Sequence, residues 1–282
     1  MNRIVLIFFL FFPGLFGFSQ ESKEKLVVGK MIAACKSMRT GTFILKATER
    51  LRDGELHESE MLVKQQTNPR KLYLYCIDPN PGAEALWREN TMEEKILINP
   101  NGFPYVNLKL SPYHSLLRKE THHTVHDLGF DYLMGLIDFY SLQLGGKFYN
   151  YLEILDTVTW EKRACIRLSF DYTDYKFLDY TVKIGETVTG ISQQLHLNDF
   201  AILQINPTIE SYDDVQPGQV IRIPNFYCRK IVFYIDRINW LPLKQEIYDD
   251  KGLFEQYEFL SFILDPMIDP MEFTPEYGKY KF

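Results

Sequence analysis

Tyr180-Thr-Val182-Lys-Ile184-Gly185-Glu186-Thr187-Val188 opens a stretch that closes with Val215-Gln-Pro217-Gly218-Gln219-Val220-Ile221-Arg222-Ile223-Pro224, with Asn206-Pro207 between them. Tyr180 and Val182 alternate as a first strand. Gly185-Glu186-Thr187 turns the chain, and the Thr187 hydroxyl is placed to cap a helix. Ile191 and Leu195 recur at a spacing of four on that helix. Asn198-Asp199 starts a second helix, with Ile202, Leu203 and Ile205 on its inner face. Asn206-Pro207 ends it, because the proline ring excludes a further helical turn. Pro217-Gly218 turns the chain into a last strand, Val220 to Ile223. Two strands and two helices of this size can share one small core, and strand-like segments flank the unit on both sides.

The order of these residues resembles the LysM domain, a small βααβ module that binds N-acetylglucosamine-containing glycans. The resemblance covers residues 179–224. It implies a shallow groove between the loop after the first strand and the loop after the second helix. Carried residue by residue, Gly185, Glu186, Thr187, Val188 and Gly190 form one wall, and Asn206, Pro207, Thr208 and Ile209 the other. Loop backbone groups would hold the N-acetyl amide, and Val188 and Ile209 would receive its methyl. Ile184 before the turn, Gly190 inside the first helix and an acidic loop from Thr208 to Asp214 depart from the family pattern.

At the start of the chain, Arg3 precedes the apolar run Ile4 to Phe12, and Gly17-Phe18-Ser19 offers small residues for cleavage before Gln20. This is a secretory signal pattern over residues 1–19. The run is shorter than the ~20 residues needed to span a bilayer. Removing it moves the formal charge from -6 to about -7. That balance argues against nucleic acid and anionic membrane surfaces as partners. It leaves a neutral glycan open. Cys35, Cys76, Cys165 and Cys228 each lie inside an apolar segment without metal-ligand spacing, so they read as buried thiols. If the strands flanking the insert pair antiparallel, Cys165 falls opposite roughly Tyr234 rather than Cys228.

Around the insert the pattern is strand-rich. Glu21 to Met38 reads as a helix with Leu26, Met31, Ala34, Cys35 and Met38 near one face. Strands follow over Thr42 to Arg52, Leu56 to Gln65, Leu72 to Ile77, Ala83 to Arg88, Lys95 to Asn99 and Tyr105 to Leu110, with Asp53-Gly54 and Asn101-Gly102 as turns. His126 to Leu144 carries Leu128, Tyr132, Leu136, Phe139 and Leu142 at helical spacing, and Gly145-Gly146 ends it. Strands resume at Tyr149 to Val158, Ala164 to Tyr172, Arg229 to Asp236, Leu243 to Tyr248 and Leu253 to Phe262. The tail from Asp265 reads as loosely packed or frayed. Strands before and after one helix predict an α+β host, residues 20–178 and 225–282: a strongly curved antiparallel sheet with helices on its concave face.

Lys71-Leu-Tyr-Leu-Tyr75, Pro81-Gly82-Ala-Glu-Ala-Leu-Trp87, Lys95-Ile-Leu-Ile-Asn-Pro100-Asn-Gly102, His122-His123-Thr-Val-His126-Asp-Leu128-Gly129 and Trp240-Leu241-Pro242-Leu243 resemble LolA-like proteins. Those are periplasmic carriers built as an open half-barrel closed by helices. The resemblance implies an apolar concavity lined by Phe43, Leu45, Met61, Val63, Leu72 and Leu74 with Leu136 and Phe139, where an acyl chain of a lipid or lipoprotein could lie. The same residues also read as an ordinary core. His122 and His126 would share a helix face. No Glu follows His122 in a zinc-protease pattern and no third ligand can be named, so the His cluster reads as capping and surface residues. No nucleophile motif or phosphate loop appears, and no cofactor is implied. Three classes follow: a glycan-binding envelope protein, a lipid carrier, and an enzyme using the His cluster.

Overall fold

The structure is a computed structural model and describes residues 22–91 and 94–282. The expected signal segment lies outside them. Helix α1 (Lys23–Ser37) begins where the Ser22 hydroxyl accepts from Lys25 N. Val27, Val28, Met31 and Cys35 are its buried face, and Leu26 is exposed, so the inner stripe is rotated from the one predicted. Strands β1 (Thr40–Arg50), β2 (Leu56–Gln66), β3 (Lys71–Asp78), β4 (Glu84–Arg88), β5 (Ile96–Asn99) and β6 (Leu108–Leu110) form the predicted meander.

Helix α2 (Phe130–Leu144) is followed by β7 (Leu152–Trp160) and β8 (Arg163–Asp171), and the host resumes after the insert with β11 (Lys230–Asp236), β12 (Pro242–Tyr248) and β13 (Leu253–Leu264). One antiparallel sheet contains all eleven strands in the order β6-β5-β4-β3-β2-β1-β13-β12-β11-β8-β7, with β6 and β7 left as free edges. Residues from both ends of this order, Ile96 and Ile98 on one side and Leu152 and Leu168 on the other, join a single apolar cluster under α1 and α2. The sheet is therefore curved and unclosed, with the helices on its concave face, as expected.

The insert has its own two-stranded sheet, β9 (Phe177–Thr181) and β10 (Val220–Pro224), and two helices, α3 (Val188–Leu195) and α4 (Asp199–Ile205). Its core is separate: Val182, Val188, Ile191, Leu197, Ile202, Leu203, Ile209, Val215, Ile221 and Ile223. It enters after β8 and leaves before β11, which are neighbours in the host sheet, so the insertion leaves the ladder continuous.

Three expectations are corrected. Cys165 lies opposite Asp236, and Tyr234 opposite Arg167. Helix α2 begins at Phe130 rather than His126, because Arg70 takes the His126 carbonyl at 2.7 Å and also the Leu128 carbonyl, and Gly129 turns at φ 92°. The tail is docked rather than frayed. Asp265 accepts from the backbone of Arg39 and Thr40, Phe273 is buried, Tyr280 stacks on Tyr73 at 3.8 Å, and Lys281 N donates to Glu84 at 2.8 Å. Tyr73 is on the convex face of β3, so the tail covers that face, where burying aromatic area offsets the chain entropy of ordering it. The four thiols are unpaired; Cys35, Cys165 and Cys228 are buried and Cys76 is half-buried. Burial pushes the Cys35 thiol up to about 12 and Cys165 to about 11, so neither is a ready nucleophile.

Candidate functional site

The insert folds by local capping. Thr187 Oγ1 accepts from Gly190 N at 3.0 Å and Asn198 Oδ1 from Ala201 N at 3.0 Å, so each helix starts on its own predicted cap. Gly185 turns at φ 80°, a conformation a side chain would strain. A Cβ on Gly190 would meet Thr187 Oγ1 at 3.4 Å, an ordinary contact, so nothing in the structure requires a glycine there. Between the two loops, Val188 N donates to Tyr212 O at 2.8 Å.

The predicted groove residues divide by exposure. Gly185, Gly190, Pro207 and Thr208 are exposed, and Glu186, Thr187 and Asn206 half-exposed. Their polar side chains are already engaged. Glu186 accepts from Lys183 N and Tyr180 OH, and Asn206 bridges Ile202 O and both backbone groups of Arg222. Val188 and Ile209, expected to receive an acetyl methyl, are 0% and 1% exposed and belong to the module core. The helical and loop backbones turn both inward. Ile184, flagged in the sequence only as a departure, is 91% exposed beside Gly185. Outward, the loops present backbone, Ile184, and the exposed side chains of Lys183, Pro207, Thr208 and the acidic stretch after it. The host reaches the second loop: Arg52 donates to Pro207 O at 3.3 Å and to Glu210 O at 3.4 Å.

Under α2 the host forms an open apolar cavity of about 360 Å³. Of the predicted lining, Leu45, Met61, Leu74 and Leu136 face it. Phe43, Val63 and Leu72 lie on the same concave face but are filled core; Phe43 stacks on Phe262 at 5.2 Å. Phe139 packs on His196 of the insert at 3.9 Å instead. Residues from α1, the strands on both sides of β1, and β11 to β13 complete the wall, among them Met31, Ile98, Phe170, Phe233 and Phe259.

The His cluster is neither capping nor surface. His122 is 1% exposed, and its ring stacks on Phe200 of the insert at 4.1 Å. Its Nδ1 lies 2.8 Å from Glu255 and its Nε2 3.0 Å from Arg50 O. Glu255 is 0% exposed and also accepts from Asn198 at 2.7 Å and Tyr227 at 3.1 Å. His123 lies 3.2 Å from Glu255 and 3.7 Å from Asp127. Burial alone would lower the His123 pKa, but the two carboxylates raise it well above the usual histidine range, and they are in turn held low by it. His126 is separate, edge-on to Trp87 at 5.1 Å, and burial lowers its pKa. Among the described residues no group of three or more His, Cys, Asp and Glu is placed to hold a metal ion. A second buried pair was not legible in the sequence: Arg118 donates to both carboxylate oxygens of Asp199 at 2.7 Å and lies over the Tyr212 ring at 3.5 Å. Asp199 and Phe200 open α4 and Asn198 caps it, so the start of this helix is one of the host's holds on the insert.

Residues 39–174 match the family described as "Protein of unknown function (DUF1571)", and residues 180–224 match the LysM domain. The insert is a LysM domain. No curated protein matches the chain. Among solved structures, MucB is similar at 11% identity and a TM-score of 0.45, over 90% of this chain and 63% of that one. The chain thus spans less than two thirds of MucB. The lipoprotein LppX from Mycobacterium tuberculosis is similar at 10% identity and a TM-score of 0.40, over 86% and 96% of the two chains. A LolA superfamily protein from Nitrosomonas europaea is similar at 10% identity and a TM-score of 0.34, over 91% and 100%.

Proposed function

We propose that this chain is an exported, non-catalytic protein of the cell envelope that binds peptidoglycan, or another N-acetylglucosamine-containing glycan, through residues 179–224. The LysM match over a complete βααβ body carries the reading. The exposed loop backbone at Gly185, Gly190, Pro207 and Thr208 supports it, since an N-acetyl amide needs one donor and one acceptor. Ile184 takes the role first given to Val188 and Ile209, an apolar rest for the acetyl methyl. Retention of the full chain on purified peptidoglycan tests this. Binding that competes with chitin oligosaccharides and weakens in Ile184→Asp supports it; no retention by the intact protein removes it.

A second reading is favoured by one observation, the apolar cavity under α2. At about 360 Å³ it falls in the range of small-molecule sites, and close-packed cores hold no such void by default. In this reading the host, residues 20–178 and 225–282, carries an acyl chain of a lipid or lipoprotein while the module docks it at the wall. Lipid extracted from the purified protein and identified by mass spectrometry tests it.

A further inference from the structure

A second cavity, of about 260 Å³, lies between the host and the LysM domain. Its host side includes Tyr113, His123 and Tyr132; its module side includes Thr189, Gln193 and His196. A larger share of its lining is polar than in the first cavity, and the two have His123, Thr124, Asp127, Tyr132 and Leu136 in common. These shared side chains face both a space suited to a hydrocarbon chain and a space with hydrogen-bonding groups on its wall.

The charges on the shared wall are matched. His123 faces Asp127 and Glu255, and Asp199 is held by Arg118. An anionic or cationic ligand group would find no unpaired counter-charge there, and would lose its hydration for nothing. Two polar groups are unmet. Among the described residues the Tyr132 hydroxyl has no hydrogen-bond partner, although its ring is fixed edge-on against His123 at 5.5 Å and Tyr227 at 6.2 Å. The His196 ring is held flat on Phe139, and its nitrogens likewise have no partner among the described residues. Burial keeps the first a phenol and the second a neutral imidazole. Both residues are half-buried and line the junction cavity, so a group bound there could reach them.

We infer that the two cavities form one amphiphile site, in which the host takes the apolar chain and the host–LysM junction takes an uncharged, hydroxyl- or amide-bearing head group at Tyr132 and His196. The module is then a wall of the ligand site as well as a glycan reader. This rests on the carrier reading of the host.

The test is calorimetric titration of the full chain with three probes that share one chain length: monolauroylglycerol, laurate and dodecyltrimethylammonium. Monolauroylglycerol binds at least about fivefold more tightly than either charged probe, the value of one net hydrogen bond. Tyr132→Phe removes one oxygen that nothing in the protein uses, so the fold is kept; it lowers the monolauroylglycerol affinity about fivefold and leaves laurate unchanged. Gly135 gives a second handle. It lines only the junction cavity, and a Cβ there meets nothing within 4 Å. Gly135→Phe fills the junction and erases the preference for the uncharged head. Equal affinity for the three probes, or a preference that survives both variants, overturns this inference and leaves the carrier reading standing. No binding of any probe overturns both, and peptidoglycan retention on the same preparation reports the glycan reading separately.

Discussion

Asn198 accepts from Ala201 N with its side-chain oxygen and donates 2.7 Å to the Glu255 carboxylate with its nitrogen. One amide thus starts the second helix of the LysM domain and fastens that helix to the last strand of the host. Asn198→Asp keeps the cap but sets a carboxylate against a buried one. We expect a loss of about 2–4 kcal/mol at neutral pH, read as a lower denaturant midpoint at unchanged slope. Asn198→Ala, which loses the cap and leaves Glu255 short of a donor, costs about 2 kcal/mol.

Arg118 and Asp199 form an ion pair, one guanidinium nitrogen meeting both carboxylate oxygens, whose side chains are nearly sealed from water. Removing either partner alone strands a charge, and Arg118→Met is expected to cost about 3–5 kcal/mol. The double variant Arg118→Met with Asp199→Leu recovers most of that. A double-mutant cycle by chemical denaturation measures the coupling; additive losses would show that the pair does not hold the junction.

Stability should depend on pH through His123. Its pKa in the fold is raised, so its contribution is complete below the unfolded value of about 6.5 and is lost as pH climbs through the folded value. Asp127 and Glu255 are depressed, so theirs is present above about 4–4.5 and lost in acid. His126 and His196, both lowered by burial, act with the opposite sign to His123. The His123 share is therefore read as the difference between wild type and His123→Gln in urea titrations from pH 4 to 9. That difference is largest near pH 5–6.5 and shrinks on the alkaline side; a flat difference would contradict the assignment.

Leu74 faces the apolar cavity, so a larger side chain has room. Leu74→Phe should change stability by less than about 1.5 kcal/mol, where the same change in a filled core costs about 1–3. It should also reduce uptake of an apolar fluorescent dye. Leu72→Phe, at a fully packed neighbour on the same face, serves as the contrast, with the larger loss of thermal stability.

How much of this was legible in the sequence depended on distance along the chain. The caps Thr187 and Asn198, the stop at Asn206-Pro207 and the Asp53-Gly54 turn act over a few residues, and the structure keeps them. The alternation in β1 to β3 placed Phe43, Leu45, Met61, Val63, Leu72 and Leu74 on one face, because strand geometry has a period of two. It could not say which of them touch the helix and which face space, since that depends on how far α2 stands from the sheet. His122 and Glu255 are 133 residues apart, so a buried carboxylate waiting for two histidines left no local mark. The late start of α2 has the same origin: a long-range guanidinium, Arg70, claims carbonyls that helical spacing would have spent on the helix. Tail residues Phe273 and Tyr280 looked loose because their partners, on the convex side of β3 and β4, belong to a distant part of the chain.

The module's two tethers leave from β8 and β11, which lie side by side near the β7 edge of the ladder and point their open ends the same way. A pull on the module therefore draws both strands together instead of peeling one from the other. The load passes as shear to β7 and β12, across many hydrogen bonds at once. Tension applied between the module and the rest of the chain would meet its stiffest resistance along this axis.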